Sequence, residues 1–299
     1  MIQSRRTFLA QLGMASTIPF LGFRPQPAAP AASIKFGYSA ITWGDNIEQA
    51  IREISSLGFT GIQLRSNAVA KWGQKPEELK RLLEGARLDV VMLSSGNADI
   101  NTGNDEAQIA KHVVNAKFIK AVGGSRMQVT NSSRPKTGAV SNEDLIKYAK
   151  MLTEIGKRTA DAGVETTYHN HMGQLGQTPQ EVDTILQNTD PGRVGFLLDV
   201  AHYLQGGGDP AAAVRTYKDR IKTLHIKDVK NTDTPSGYQF VELGQGRLDF
   251  PAVFDALNKI NYRGYAVVEL DAIPVKGRTT LESGQIAKDF ITNKMKFKM

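Results

Sequence analysis

From residue 33 onward the chain alternates, eight times over, a short β-branched run with an amphipathic helical stretch. The runs fall at residues 34–38, 61–65, 90–94, 125–130, 164–169, 194–199, 221–226 and 265–270. Helical patterns cover 47–57, 76–85, 105–122, 142–162, 179–187, 210–217 and 250–260, with a last one from about Thr280. Consecutive βα units demand parallel strands joined by crossover helices. Eight units in about 268 residues match an α/β fold of one kind, the closed (β/α)₈ TIM barrel, which typically needs ~250. The rival is an open doubly wound sheet, but no Gly-x-Gly-x-x-Gly follows an early run, and eight successive units favour closure. Helix boundaries are signalled by Ser141, with Glu143 and Asp144 behind it, and by Thr178-Pro179. Gly58, Gly85, Gly123 and Gly163 are expected just past helix ends. No Pro/Gly/Ser linker divides residues 32–299, which read as a single barrel domain. The one long excursion, 231–249, falls on the face where barrels carry their active sites and is expected to act as a lid.

Cysteine is absent, which excludes disulfide scaffolds, thiolate metal sites and Cys nucleophiles. Of the +7 formal charge, three positive residues (Arg5, Arg6, Arg24) precede the barrel, and Lys294, Lys296 and Lys298 cluster at the other end. A modest excess placed in this way argues against a nucleic-acid partner. Residues 1–31 read as an export address rather than structure. Paired arginines in Ser4-Arg5-Arg6-Thr7-Phe8-Leu9 precede a mild apolar stretch, and Ala29 and Ala31 supply small residues for cleavage. The layout resembles the bacterial twin-arginine signal and implies a periplasmic protein. Gln11, Gly13, Ser16, Thr17 and Pro19 interrupt the apolar stretch, so stable membrane insertion is not expected.

The chain holds five histidines, and four of them cluster at the ends of predicted strands. His169 and His171 close the fifth run, His202 follows the sixth, and His225 lies in the seventh; Glu269 ends the eighth. Barrel active sites are built at the C-terminal ends of strands. His169, Asp199, His225 and Glu269 would therefore converge as two imidazoles and two carboxylates. That donor set suits Mn²⁺, Zn²⁺, Co²⁺ or Fe²⁺ better than Ca²⁺. Lys227, two residues after His225, points the same way on a strand and can serve as an acid or steady an enolate. His171 either faces a ligand or supports its neighbours, Arg65 at the mouth of the second strand offers a hydroxyl or acid contact or a salt bridge, and Trp43 and Trp72 either stack on a ligand or pack. His112 lies within a helical pattern and reads as structural.

Four stretches carry a family resemblance. They are Asp199-Val200-Ala201-His202, His225-Ile226-Lys227-Asp228, Leu243-Gly244-Gln245-Gly246-Arg247-Leu248-Asp249-Phe250 and the Glu269 strand end. Together they resemble the xylose-isomerase-like barrels of the sugar isomerase/epimerase superfamily, over essentially residues 34–290. The resemblance implies one divalent metal ion (Mn, Co, Zn or Mg) on His169, Asp199, His225 and Glu269, with His202 facing a small sugar or keto-sugar. One departure matters. Many members carry Glu at the position of His169, whereas Tyr168-His169-Asn170-His171-Met172-Gly173 is similar to the inosose (keto-inositol) dehydratase branch. Gln63 likewise stands where Glu is common.

Epimerising a carbon beside a carbonyl wants a base on each face of the enediolate. With His169 as a metal ligand one such base is gone, leaving Glu269, with Lys227 and His202 as the other catalytic candidates. One base still removes the α-proton. The expected outcome is therefore elimination or hydration of a keto-sugar, with ketose isomerisation or epimerisation as the alternative. A non-catalytic sugar-binding barrel is the second alternative, and the intact Asp199, His225 and Glu269 argue against it. A repair endonuclease of the same barrel type would need ligands from early strands. Ser94-Ser95-Gly96-Asn97 offers no histidine there.

Overall fold

The computed structural model describes residues 33–130, 132–135 and 139–299; the predicted export signal lies outside them. In chain order the elements are β1 (Ser33–Ser39), α1 (Ile47–Ser56), β2 (Gly61–Arg65), α2 (Asn67–Trp72), α3 (Pro76–Gly85), β3 (Asp89–Asn97) and α4 (Asp105–Val122). Next come β4 (Arg126–Thr130), α5 (Asn142–Ala160), β5 (Glu165–His169), α6 (Pro179–Asn188), β6 (Val194–Asp199), α7 (Val200–Gln205), α8 (Pro210–Thr216) and β7 (Ile221–Ile226). The chain ends with β8 (Asp228–Asn231), β9 (Tyr238–Val241), α9 (Phe250–Lys259), β10 (Arg263–Val268) and α10 (Thr280–Asp289). Eight strands close in the order β1-β10-β7-β6-β5-β4-β3-β2, every neighbour parallel. The expected (β/α)₈ barrel is what forms.

Two layers of apolar packing hold it. Inside the barrel Val91, Met92, Leu197 and Val267 touch one another, with Tyr265 against them. Outside, a far larger cluster fills the space between strands and helices. Strands covered on both faces read as continuous apolar runs, which is why all six residues of β6 are buried. Polar side chains that break such runs on the inward face are therefore conspicuous, and they mark the mouth.

Several boundaries differ from the expectation. Strand β10 ends at Val268, so Glu269 stands one residue past it, held alongside β7 by its N–H donating to the Ile226 carbonyl at 3.2 Å. Gly85 is the last residue of α3 rather than a residue beyond it, and Arg87 takes the left-handed conformation instead, at φ 56°. The 231–249 excursion is partly regular. β8, which leads into it, pairs with β9 inside it as an antiparallel hairpin. Asp228 fastens both the hairpin and the turns behind it. Its Oδ1 accepts from the N–H groups of Val229 and Leu248, and Oδ2 from those of Gly244 and Gly246, at 2.8–3.1 Å. Among the described residues no helix is long and apolar enough to cross a membrane.

Candidate functional site

The geometry at the mouth begins with strand register. Asp199 pairs with His225 and His225 with Val267, while His169 pairs with Leu197, two residues before Asp199. Alternation then turns the side chains of His169, Asp199, His225 and Glu269 into one space. Each offers one ligand atom within 4.8 Å of all the others, and all four are buried.

Each member is held by the local fold. Asp199 caps α7, its Oδ1 accepting from the N–H groups of Ala201 (3.0 Å) and His202 (2.8 Å), which leaves Oδ2 for the centre. Asn170 clasps the backbone of Asp199 at both ends, accepting from its N–H at 2.9 Å and donating to its carbonyl at 3.1 Å. Nε2 of His225 donates to Oε1 of Gln63 at 2.7 Å, so Nδ1 faces the group. Ser39 donates to Oε1 of Glu269 at 3.3 Å.

The donor set fits a divalent metal ion. Asp199 Oδ2, His169 Nδ1 and His225 Nδ1 are buried and make no hydrogen bond with any described residue. Nδ1 of His225 is 3.1 Å from Glu269 Oε2 yet outside hydrogen-bond alignment. Three such atoms converging from three strands is the pattern of ligands, because buried polar atoms are otherwise paired.

Lys227 is fully buried beside this group. Its Nζ lies 2.9 Å from both Glu269 Oε2 and Asp271 Oδ2, and 3.6 Å from Asp199 Oδ2. Burial alone would discharge it, but the Asp271, Glu269 and Asp199 carboxylates outweigh burial and keep it an ammonium. Burial likewise opposes ionisation of Glu269, and His225 and Lys227 overcome that, holding the carboxyl well below its usual range. For His225 burial is overcome by Glu269 and Asp199, which raise it to about 9. Burial keeps His169 and His202 neutral.

Above these sits an aromatic wall. The His171 and His202 rings lie 3.9 Å apart at 35°, and Phe240, from the hairpin, meets His202 at 4.6 Å and Lys227 at 4.8 Å. The Met172 N–H donates to His202 Nδ1 at 3.1 Å, and His202 Nε2 lies 3.4 Å from the Lys227 ammonium. His171 is turned the other way, its Nδ1 bound to the Met172 carbonyl at 2.6 Å, leaving Nε2 as an acceptor.

Arg65 stands at the end of β2, partly exposed. Trp43 does not join the group. It is 4% exposed, its ring meets Tyr38 edge-on at 5.1 Å, and its Nε1 donates to Glu53 at 2.7 Å, so it packs among the outer helices. Trp72 is buried too, under Lys71. Sequence reasoning gave no role to Asn170, Ser39, Asp271 or Phe240, and noted Gln63 only as a substitution. Gln63 and Ser39 carried a signal, as polar residues in otherwise apolar strands; Phe240 carried none before the hairpin was known.

A profile of the xylose isomerase-like TIM barrel family matches residues 51–288. The inosose dehydratase of Lactiplantibacillus plantarum is 29% identical over 86% of this chain and 95% of its own. That of Lacticaseibacillus casei is 26% identical over 82% and 92%. Among solved structures, the IolI protein with a bound zinc atom superposes with a TM-score of 0.73 at 20% identity, covering 89% of this chain and all of that one. From closure of the eight strands and the match over most of its length, the chain belongs to the xylose isomerase-like TIM barrel family.

Proposed function

We propose that the protein is a divalent-metal-dependent lyase that removes water from a keto-polyol of the inosose type. The observation that carries this reading is the asymmetry of the centre: one carboxylate, Glu269, lies against an ammonium, while an imidazole, His169, occupies the facing strand end. The names of the relatives support the same class of reaction.

Held by His169, Asp199, His225 and Glu269, a divalent ion would polarise the substrate carbonyl. Glu269, ionised, takes the proton from the carbon beside that carbonyl, and the electron pair moves to the carbonyl oxygen. Lys227 faces that oxygen with a full positive charge in a dry setting, where such help is strong. As the carbonyl re-forms, the bond to the β-hydroxyl breaks, and the hydroxyl leaves as water with the proton Glu269 had taken. The paired His171 and His202 rings would hold the ring hydroxyls. Removal and return by one carboxylate make the elimination syn.

The test is NMR in D₂O with a panel of keto-polyols and keto-glycosides. Exchange of one α-proton together with loss of water, and little epimer, is the expected result. Glu269→Gln should lower exchange by roughly 10²–10⁴, the usual contribution of a general base. Clean epimerisation by the wild type would refute the one-base reading, and His169→Glu is the variant expected to gain epimer. The reading extends to location: residues 1–31 address the enzyme to the periplasm, where free or glycosidic keto-polyols are met rather than sugar phosphates.

A further inference from the structure

The wall of the mouth opposite the metal-type group is built from β2, β3 and β4, and it is also polar. Arg65 lies two residues beyond Gln63 on β2, on the same face and roughly 7 Å nearer the opening. Register sets Arg65 beside Ser94, and Ser94 beside Gln128. Nε2 of Gln128 donates to the Ser94 hydroxyl at 2.7 Å, while Oε1 of the same amide, on a residue 2% exposed, has no partner among the described residues. The Arg65 guanidinium makes no ion pair or hydrogen bond with any described residue, although it is partly buried. Two polar groups at one level of the mouth thus lack partners, and an unpaired buried amide is costly.

We propose that Arg65, Ser94 and Gln128 form a hydroxyl-recognition wall that binds the end of a polyol remote from its carbonyl. This rests on the keto-polyol reading and adds how the rest of the substrate is held. Arg65 can only donate, and the free end of the Gln128 amide presents an acceptor. A hydroxyl satisfies both, donating to Oε1 and accepting from the guanidinium. Turned over, the amide would present donors instead, and a hydroxyl serves those as well. A carboxylate or phosphate would satisfy Arg65 but press lone pairs on Oε1, in a mouth that already holds Asp199, Glu269 and Asp271. Vicinal hydroxyls are therefore the matching chemistry.

The experiment is titration calorimetry on the protein as purified, with a saturated cyclohexane polyol, its monodeoxy analogues and, separately, inorganic phosphate. Wild type, Arg65→Met and Gln128→Leu are compared, with Ser94→Ala as a further variant should Gln128→Leu fail to fold. Polyol affinity should drop about tenfold or more in each variant. The deoxy analogue that binds weakly to wild type should lose no further affinity in the variant missing its partner, the signature of a direct pair. Unchanged polyol affinity in the variants overturns the wall, as does the absence of polyol binding by wild type. Preference for phosphate that is lost with Arg65→Met also overturns it, by showing an anion site. No bond is broken in this measurement, so its failure is separate from failure of the dehydration reading, which the D₂O exchange decides.

Discussion

Replacing Gln63 with leucine removes the acceptor that fixes the His225 ring. Gln63 is 1% exposed and its Oε1 lies 2.7 Å from His225 Nε2. Leucine is of similar size, so the change opens little cavity; it leaves a buried imidazole N–H unpaired, at a cost of about 1–3 kcal/mol. Binding a metal makes the ring, whose pKa is raised to about 9, give up one proton. With Gln63 present it comes off Nδ1; without that acceptor the ring keeps it there, 3.1 Å from Glu269 Oε2, and sheds the Nε2 proton instead. Nδ1 is the atom facing the centre, and a proton there excludes a metal. Partners that orient a ligating histidine are worth about 10–100-fold in metal affinity, or roughly 1.4–2.7 kcal/mol. Competition with a chromophoric chelator at neutral pH should find Gln63→Leu weaker by that factor. Gln63→Glu, which keeps an acceptor and adds charge, should bind at least as tightly as wild type. A Gln63→Leu affinity within twofold of wild type would refute the assignment of Nδ1 as the ligand atom.

Asp199→Ala and His225→Ala should each lose most bound metal while the barrel stays folded, checked by metal analysis beside circular dichroism; a full equivalent retained by either would exclude the four-ligand centre. Gly246→Ala drives a Cβ into Asp228 Oδ1 and to 2.5 Å from the Val229 carbonyl, so thermal unfolding should show a loss of about 1–3 kcal/mol. His112 is buried behind β3, with Ser95 Oγ 2.6 Å from its Nδ1, and burial pushes its pKa down to about 3. The unfolded chain binds its proton below about 6.5 and the folded one does not until about 3, so stability is lost as the pH is lowered across that window. The slope is about 1.4 kcal/mol per pH unit, and urea melts of His112→Leu should lack it. Arg5→Lys with Arg6→Lys should leave the protein in the cytoplasm, since lysine does not present the guanidinium fork; normal periplasmic delivery would refute twin-arginine export.

The barrel was legible because a parallel sheet buried on both faces writes long apolar runs, and eight of them leave few topologies. His169, Asp199, His225 and Glu269 were legible for the same reason, as titratable residues at the ends of such runs. What escaped depends on contacts across the barrel rather than along the chain. Gln63 meets His225 from a strand far away in sequence, and Asn170 acts on the backbone of β6, not on a side chain. The hairpin was hidden because its strands have four residues each, too short for a period to register. Trp43 escaped too, because an aromatic residue just past a strand end reads alike whether it turns inward to the mouth or outward to the helices.

Asp228 adjoins Lys227 and ties the excursion at both feet through four backbone amides. The hairpin therefore has an anchored base and a free rim, at residues 232–237, where exposed side chains make only local turn contacts. Insertions or deletions at the rim are expected to leave the four Asp228 bonds, and the Phe240 ring over Lys227, in place. A lineage can thus refit the entrance to bulkier or slimmer guests, one loop length at a time, with the chemistry beneath left in register.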